Sequence, residues 1–247
     1  MTPAARLGSH LRGHALLFEA RARHAYDPRA GVRLLLVFAV LELIVGPRLL
    51  LFTRLGLPVP PLWIRVPVLL ALALALVRYF AGIGLSQIGL HPWREWTTTE
   101  KSYFIQVLLM ANVVFAALFA QRLRAALADP SLRGPAVVVL LTYVVWGFHQ
   151  EVMYRGILQT ELVRRWGGLA GILASNALYT FGPLHLYHLS RPRPAPMFAA
   201  VFAIGLFFAL LFKRSGNLWM AGVFHGIGDA YFTGLGALGI PGDRGSL

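Results

Sequence analysis

The sequence predicts an all-α protein, a polytopic bundle of about seven transmembrane helices preceded by an N-terminal amphipathic helix at the membrane interface. Three observations lead to this prediction. Of the 247 residues, 57% are hydrophobic and only 13% are charged. The mean hydropathy is +0.63, whereas a typical soluble domain carries about 25% charged residues. Finally, the apolar residues are concentrated in long windows that are separated by short connections rich in proline and glycine.

Seven windows are apolar enough to approach the ~20 residues that a helix needs to cross a bilayer. No internal repeat or change in composition divides them into two domains. We therefore predict an interfacial arm over 1–32 and a transmembrane bundle over 33–240, with the polar motifs described below inside 140–235. The windows are 33–53, 66–83, 103–121, 135–158, 168–189, 196–212 and 217–238.

The arm over 1–32 is predicted to be an amphipathic helix that lies on the membrane surface. It lacks the apolar core of a secretory signal after its first arginines. An irregular basic tail is the alternative. Its arginines favour a cytoplasmic N-terminus under the positive-inside rule. The apolar stripe at helical spacing consists of Leu7, Leu11, Ala15, Phe18 and Ala22.

The net charge of +13 comes from basic residues that are scattered singly or in doublets between apolar runs. This pattern indicates loops that face anionic lipid headgroups, so membrane lipid is a predicted partner and nucleic acid is not. Arginine outnumbers lysine 21 to 2, which is typical of a GC-rich genome and predicts a bacterial inner membrane. The absence of cysteine excludes disulfides, a thiolate nucleophile and cysteine-based metal sites.

Three pairs of residues at i,i+4 spacing interrupt the apolar sequence of the second half. On a helix the members of such a pair share a face. Any one pair has a simpler explanation, such as an intrahelical ion pair or a hydrogen-bonded core histidine. Ionisable groups inside a membrane are nevertheless costly, and three pairs in three windows indicate one buried functional site. The pairs are Glu151 with Arg155, Phe181 with His185, and His225 with Asp229.

These residues could activate water and stabilise an oxyanion. Glu151 in apolar surroundings is a candidate general base. Pro183 is predicted to kink its helix just before His185 and to open space for water beside the imidazole. We expect no cofactor. Zinc stays open as an alternative because histidine and carboxylate are its ordinary ligands, although no HExxH motif is present.

The order and spacing of the pairs resemble the three motifs of the CAAX-protease and bacteriocin-processing family of intramembrane endopeptidases, which includes the Rce1-type prenyl-protein proteases. The resemblance covers about residues 140–235, and the segments 155–156 and 214–219 share in it. It implies an all-α bundle around a polar cavity. It also implies glutamate-dependent, metal-independent cleavage of a membrane-associated protein or peptide. The matching motifs are Gln150-Glu151-x-x-x-Arg155, Phe181-x-x-x-His185 and His225-x-x-x-Asp229.

The resemblance also implies a role for each residue. Glu151 and His185 would activate the water, while His225 with Asp229 would lie on the side of the oxyanion. Arg155 would orient Glu151 or hold a neighbouring helix. The supporting residues are Gln150, Arg155, Asn176 and Phe181, the last in the cavity wall.

Two positions depart from the family pattern. The first motif usually has two adjacent glutamates, of which the first is commonly the catalytic one, and here that position is Gln150. Either Glu151 takes over the task or the chain is a non-catalytic relative, since adjacent helical residues point about 100° apart. The third motif ends in Asp229, where asparagine is frequent. Because an ionised aspartate repels an oxyanion, we expect Asp229 to orient His225.

The sequence therefore predicts an intramembrane endopeptidase, and removal of a C-terminal sorting tail is one candidate reaction. A prenylated substrate is not expected in a bacterium. The alternatives are a non-catalytic membrane scaffold or pseudoprotease, which Gln150 favours, and a zinc-dependent intramembrane protease. A transporter has weaker support because no inverted repeat of broken helices is visible.

Overall fold

The computed structural model describes residues 27–45, 59–185, 189 and 194–239. Within these ranges all regular structure is helical, which confirms the predicted all-α class. The described residues do not include 1–26 of the predicted arm or 46–53 of the first window. The α-helices are α1 (Pro28–Val45), α2 (Leu62–Ala75), α3 (Thr98–Leu118), α4 (Ala120–Ala128), α5 (Pro130–Glu151), α6 (Thr160–Trp166), α7 (Gly168–Phe181), α8 (Pro194–Ser215), α9 (Leu218–Asp229) and α10 (Leu235–Ala237).

Segments of π-helix continue three of these helices without a break. Leu76–Phe80 extends α2, Val152–Gln159 joins α5 to α6, and Ala230–Gly234 joins α9 to α10. The continuous helix Pro130–Trp166 has 37 residues. At 1.5 Å per residue it is about 55 Å long, which exceeds the ~30 Å hydrocarbon core of a bilayer.

Four helices of the described chain are long and apolar enough to cross a membrane. They correspond to the second, third, fourth and sixth predicted windows. Together with the exposed apolar side chains along them, they support a multi-pass membrane protein. The count of seven spans stays a prediction. The four helices are Leu62–Phe80, Thr98–Leu118, Pro130–Trp166 and Pro194–Ser215.

The helix of the fifth window is shorter than predicted. α7 ends at Phe181, Gly182 has an extended backbone, and His185 lies in the turn that follows. Pro183 has no N–H group and disfavours a helical conformation at the residue before it, so the helix stops where a kink was predicted. The predicted kink is therefore wrong, and Phe181 and His185 do not share a helix face.

The largest apolar core lies between α1 and the π-helical segment that follows α5. Leu34 and Leu41 of α1 are fully buried in it, as are Val152 and Ile157. A fully buried aliphatic side chain contributes about 1.5–3 kcal/mol relative to an exposed one in water. This core fixes the helix immediately after Glu151 against α1.

α5 and α9 are packed at backbone distance. A Cβ atom on Gly147 of α5 would lie 2.7 Å from the Cα of Gly226 in α9. A Cβ atom on Gly226 would in turn overlap the carbonyl oxygen of Val144. Glycine allows transmembrane helices to approach this closely. The close approach places Glu151, at the end of α5, beside His225 in α9.

The glycine contact predicts that Gly226→Ala destabilises the protein. The added methyl group would push α9 away from the Val144 carbonyl, and such overpacking costs about 1–3 kcal/mol. The measurement is the midpoint of thermal unfolding in detergent. Gly134→Ala is the matched control, because a Cβ atom there meets nothing within 4 Å. An alanine at this exposed helical position stabilises by about 0.5–1 kcal/mol. Equal midpoints for both variants would contradict the packing argument.

Candidate active site

Glu151 and His225 form the central contact of the site. His225 Nδ1 donates a hydrogen bond to Glu151 Oε1 over 2.7 Å. Arg155 Nη1 lies 3.1 Å from the same oxygen, one turn further along the chain. All three side chains are buried, and Glu151 has no exposed surface. A carboxylate enclosed in this way keeps its charge only when it is paired, and here a guanidinium and an imidazole are its partners.

Arg155 links the central contact to two further helices. Its Nη2 donates to the carbonyl oxygen of Gly205 in α8 over 2.6 Å. Its guanidinium lies 4.3 Å from the centre of the Tyr179 ring in α7. Arg155 thus contacts Glu151 and two neighbouring helices, and the two roles that the resemblance implies for it stay predictions.

Two of the predicted supporting residues, Asn176 and Phe181, contact α8. Asn176 is buried, and its Nδ2 donates to the carbonyl oxygen of Phe202 over 3.0 Å. Phe181 is 56% exposed, and its ring packs against Phe198 and Phe202 at centroid distances of 5.5 and 6.4 Å. Phe181 therefore packs against α8 with more than half of its side chain exposed, and its place in a cavity wall stays a prediction.

Tyr179 joins His185 to the rest of the site. His185 Nδ1 donates to the backbone carbonyl of Tyr179 over 2.6 Å, and the two rings are 4.7 Å apart. The Tyr179 hydroxyl lies 3.5 Å from His225 Nε2. Because a carbonyl can only accept, His185 carries its proton on Nδ1, and the neutral ring has its lone pair on Nε2. Tyr179 was not among the site residues predicted from the sequence. Its hydroxyl group, between Asn176 and His185 in an apolar window, is the feature that could have indicated it.

The two positions that depart from the family pattern contact each other. Gln150 Nε2 donates to Asp229 Oδ2 over 3.0 Å. The same carboxylate oxygen lies 3.7 Å from His225 Nε2, so the predicted proximity of Asp229 to His225 is present. The Asp229 side chain is 21% exposed, whereas Glu151 is fully enclosed. Of the carboxylates of Glu151 and Asp229, that of Asp229 is therefore the one with exposed surface.

A second polar cluster surrounds a small cavity beside Gln150. Glu42 of α1, His149 and Tyr154 line this cavity together with Gln150. His149 is 2% exposed, and neither of its ring nitrogens has a hydrogen-bond partner among the described residues. This cluster was not predicted from the sequence. Glu42 could have indicated it, because an acidic residue inside an apolar window is often functional.

The arrangement has the components that hydrolysis by water requires. Glu151 holds the His225 ring so that its other nitrogen faces Asp229 and the Tyr179 hydroxyl. Imidazoles and carboxylates can accept a proton from water, and a protonated imidazole can stabilise an oxyanion. In the part of the chain that the structure describes, no group of three or more His, Cys, Asp or Glu side chains is placed to hold a metal ion.

Part of the chain matches a known protein family. The family model for type II CAAX prenyl endopeptidase Rce1-like proteins matches residues 132–231. This part of the chain is therefore similar to the Rce1-like family. The match confirms the resemblance drawn from the three motifs and supports an endopeptidase of the membrane. The Rce1-like segment contains all four predicted catalytic residues, Glu151, His185, His225 and Asp229. No curated protein and no solved structure matches the chain significantly.

The buried ion pair predicts that Arg155→Met is strongly destabilising. The substitution removes the guanidinium from an enclosed Glu151, and leaving one buried charge without its partner costs about 3–5 kcal/mol. The double variant Arg155→Met/Glu151→Gln removes both charges and should unfold at a higher temperature than the single variant. Thermal unfolding of the purified proteins tests this order. A double variant less stable than Arg155→Met would show that the pairing does not determine the cost.

Proposed function

We propose that this chain is an intramembrane endopeptidase that hydrolyses a peptide bond of a membrane-associated or membrane-anchored protein. The observation that carries the proposal is the 2.7 Å contact between Glu151 and His225, enclosed by helices of an Rce1-like segment. A buried ion pair often makes a protein no more stable than apolar residues of similar volume would in its place. Charged groups at membrane depth are better explained by chemistry.

Each group of the site has a place in this reaction. Hydrolysis needs an acceptor for a proton of water and a donor for the oxyanion that forms on the scissile carbonyl. We assign water activation to the carboxylate and imidazole groups of the site, with Glu151 acting through His225, and His185 contributing its Nε2. Arg155 keeps Glu151 charged and in place. His225 Nε2 is the donor for the oxyanion.

We propose that the reaction is of the glutamic type and needs no metal. His225 Nδ1 and Arg155 already engage Glu151, and a metal ion would have to displace these contacts. The proposed location is the inner membrane of a bacterium, with the N-terminus in the cytoplasm. The proposed substrates are proteins with a C-terminal hydrophobic sorting tail, which a protease embedded in the same membrane can reach.

One observation favours a second candidate function, a non-catalytic membrane scaffold. Gln150 occupies the position at which the motif usually has a catalytic glutamate. A scaffold would keep its cellular role without any proton transfer at Glu151. It would depend on the packing positions of the bundle, such as Gly226.

The test is cleavage of tailed reporters in a bacterial host. The chain is co-expressed with single-span reporter proteins that carry C-terminal hydrophobic tails from its own genome, and products are identified by immunoblot and mass spectrometry. Glu151→Gln and His185→Ala should each reduce cleavage by about 100-fold or more, as expected for the loss of acid–base groups. Glu95→Gln, an exposed position between α2 and α3, is the matched control and should cleave normally.

The alternatives give different results in the same assay. Cleavage by Glu151→Gln at the wild-type rate would exclude the glutamic mechanism. A cellular phenotype that survives Glu151→Gln but not Gly226→Ala would favour the scaffold. Loss of cleavage by the purified protein in strong chelator, with recovery on adding zinc, would favour a zinc-dependent protease.

A further inference from the structure

We propose that Asp229, and not Glu151, is the carboxylate that takes the proton from the attacking water. This inference rests on the proposed endopeptidase function and replaces Glu151 by Asp229 as the acceptor of the water proton, while Glu151 stays essential because it holds the protonated His225 in place. From the sequence, Asp229 was expected only to orient His225. Three features of the site lead beyond that expectation: solvent access, the hydrogen bonds around Asp229, and the balance of buried charge.

Access distinguishes the two carboxylates. A general base must lie within hydrogen-bond reach of the water that it deprotonates. Glu151 has no exposed surface, and its Oε1 is engaged by both His225 and Arg155. Its Oε2 has no hydrogen-bond partner among the described residues but is buried, so a water could reach it only if the packing around it opened. Asp229 is 21% exposed, so a water can contact it without displacing the side chain of His225 or Arg155.

The hydrogen bonds around Asp229 hold it in position and leave one oxygen available. Gln150 donates to Oδ2 over 3.0 Å, and His225 Nε2 lies 3.7 Å from the same atom. Among the described residues none donates to Oδ1. The carboxylate is therefore fixed at one oxygen, while the other can bind a water beside the His225 ring.

The buried charges balance when Asp229 is ionised. Arg155 and a protonated His225 carry two positive charges, and Glu151 and Asp229 carry two negative charges. The imidazolium then lies between two carboxylates, with Nδ1 on Glu151 and Nε2 towards Asp229. A set of four residues with no net charge costs less free energy to bury than a set with one unpaired charge.

Proton transfer to Asp229 also removes the repulsion expected between an aspartate and an oxyanion. One O–H bond of water breaks and its proton moves to Asp229, while the water oxygen bonds to the scissile carbon. The carbonyl π electrons move onto oxygen, so the negative charge passes from Asp229 to the oxyanion. His225 Nε2–H then faces one anion, as before the step. When the C–N bond breaks, Asp229 returns the proton to the amine nitrogen.

The experiment exchanges the amide and the carboxylate across their hydrogen bond. Wild type, Asp229→Asn and the double exchange Gln150→Glu/Asp229→Asn are purified, and kcat and KM are measured on a tailed reporter that the wild type cleaves. Asp229→Asn should lower kcat by about 100-fold or more and leave KM within about threefold. The double exchange should have a kcat at least tenfold higher than that of Asp229→Asn, because it restores a carboxylate to the same contact. Asp129→Asn, the same change at the exposed cap of α5, should match wild type, since asparagine also caps helices.

A second variant covers the case in which the double exchange misfolds, which its thermal midpoint would show. Asp229→Gly opens space for a small acid, so added formate should restore its cleavage if the missing group is a base. A structural role would not respond to formate.

The outcomes separate this inference from the proposed function. Asp229→Asn with kcat within threefold of wild type, while Glu151→Gln is inactive, would overturn the assignment of the base and keep the protease. A loss in Asp229→Asn that neither the exchange nor formate restores would also overturn it. A wild type that cleaves no reporter would overturn the proposed function and this inference together.

Discussion

The contact between Glu151 and His225 depends on two helices that touch at backbone distance. Gly147 and Gly226 allow α5 and α9 to approach until a Cβ on either would collide with the other helix. In a membrane no hydrophobic effect drives helices together, so close packing and interhelical hydrogen bonds must supply the association. The glycines and the hydrogen bond between Glu151 and His225 therefore support each other. Moving α9 outward by the width of a methyl group would lengthen both hydrogen bonds that join the first motif to the third, Glu151–His225 and Gln150–Asp229.

Arg155 extends this constraint to the rest of the site. One guanidinium pairs with Glu151, donates to the carbonyl of Gly205 and lies over the ring of Tyr179, so it joins α5 to both α8 and α7. A planar group with several donors in fixed directions can satisfy all three contacts, which the single point charge of lysine cannot. Tyr179 then carries His185 into place, although that histidine lies beyond the end of its helix.

Local spacing explains which parts of the site the sequence could predict. Glu151 with Arg155, and His225 with Asp229, follow from helical geometry alone, because each pair lies within one helix. His185 was assigned to a helix, and Pro183 ends that helix instead. The contacts made by Tyr179 depend on how helices pack against one another, and no spacing within one helix encodes that. The same limit applies to the number of spans, because hydropathy scores windows and does not determine where a helix stops.

The π-helical segments add a constraint that hydropathy and spacing do not reveal. Val152–Gln159 begins directly after Glu151, and Ala230–Gly234 begins directly after Asp229. Such segments make up well under 1% of residues in soluble proteins and are frequent at functional sites. A wider turn shifts the register of every later residue on its helix. The packing of the helix after Glu151 against α1 can therefore differ in register from the packing of α5 against α9. The continuous helix Pro130–Trp166 can thus make a close glycine contact with α9 before Glu151 and pack in an apolar core after it. The charged residues Glu151 and Arg155 lie where the α-helix changes to π-helix.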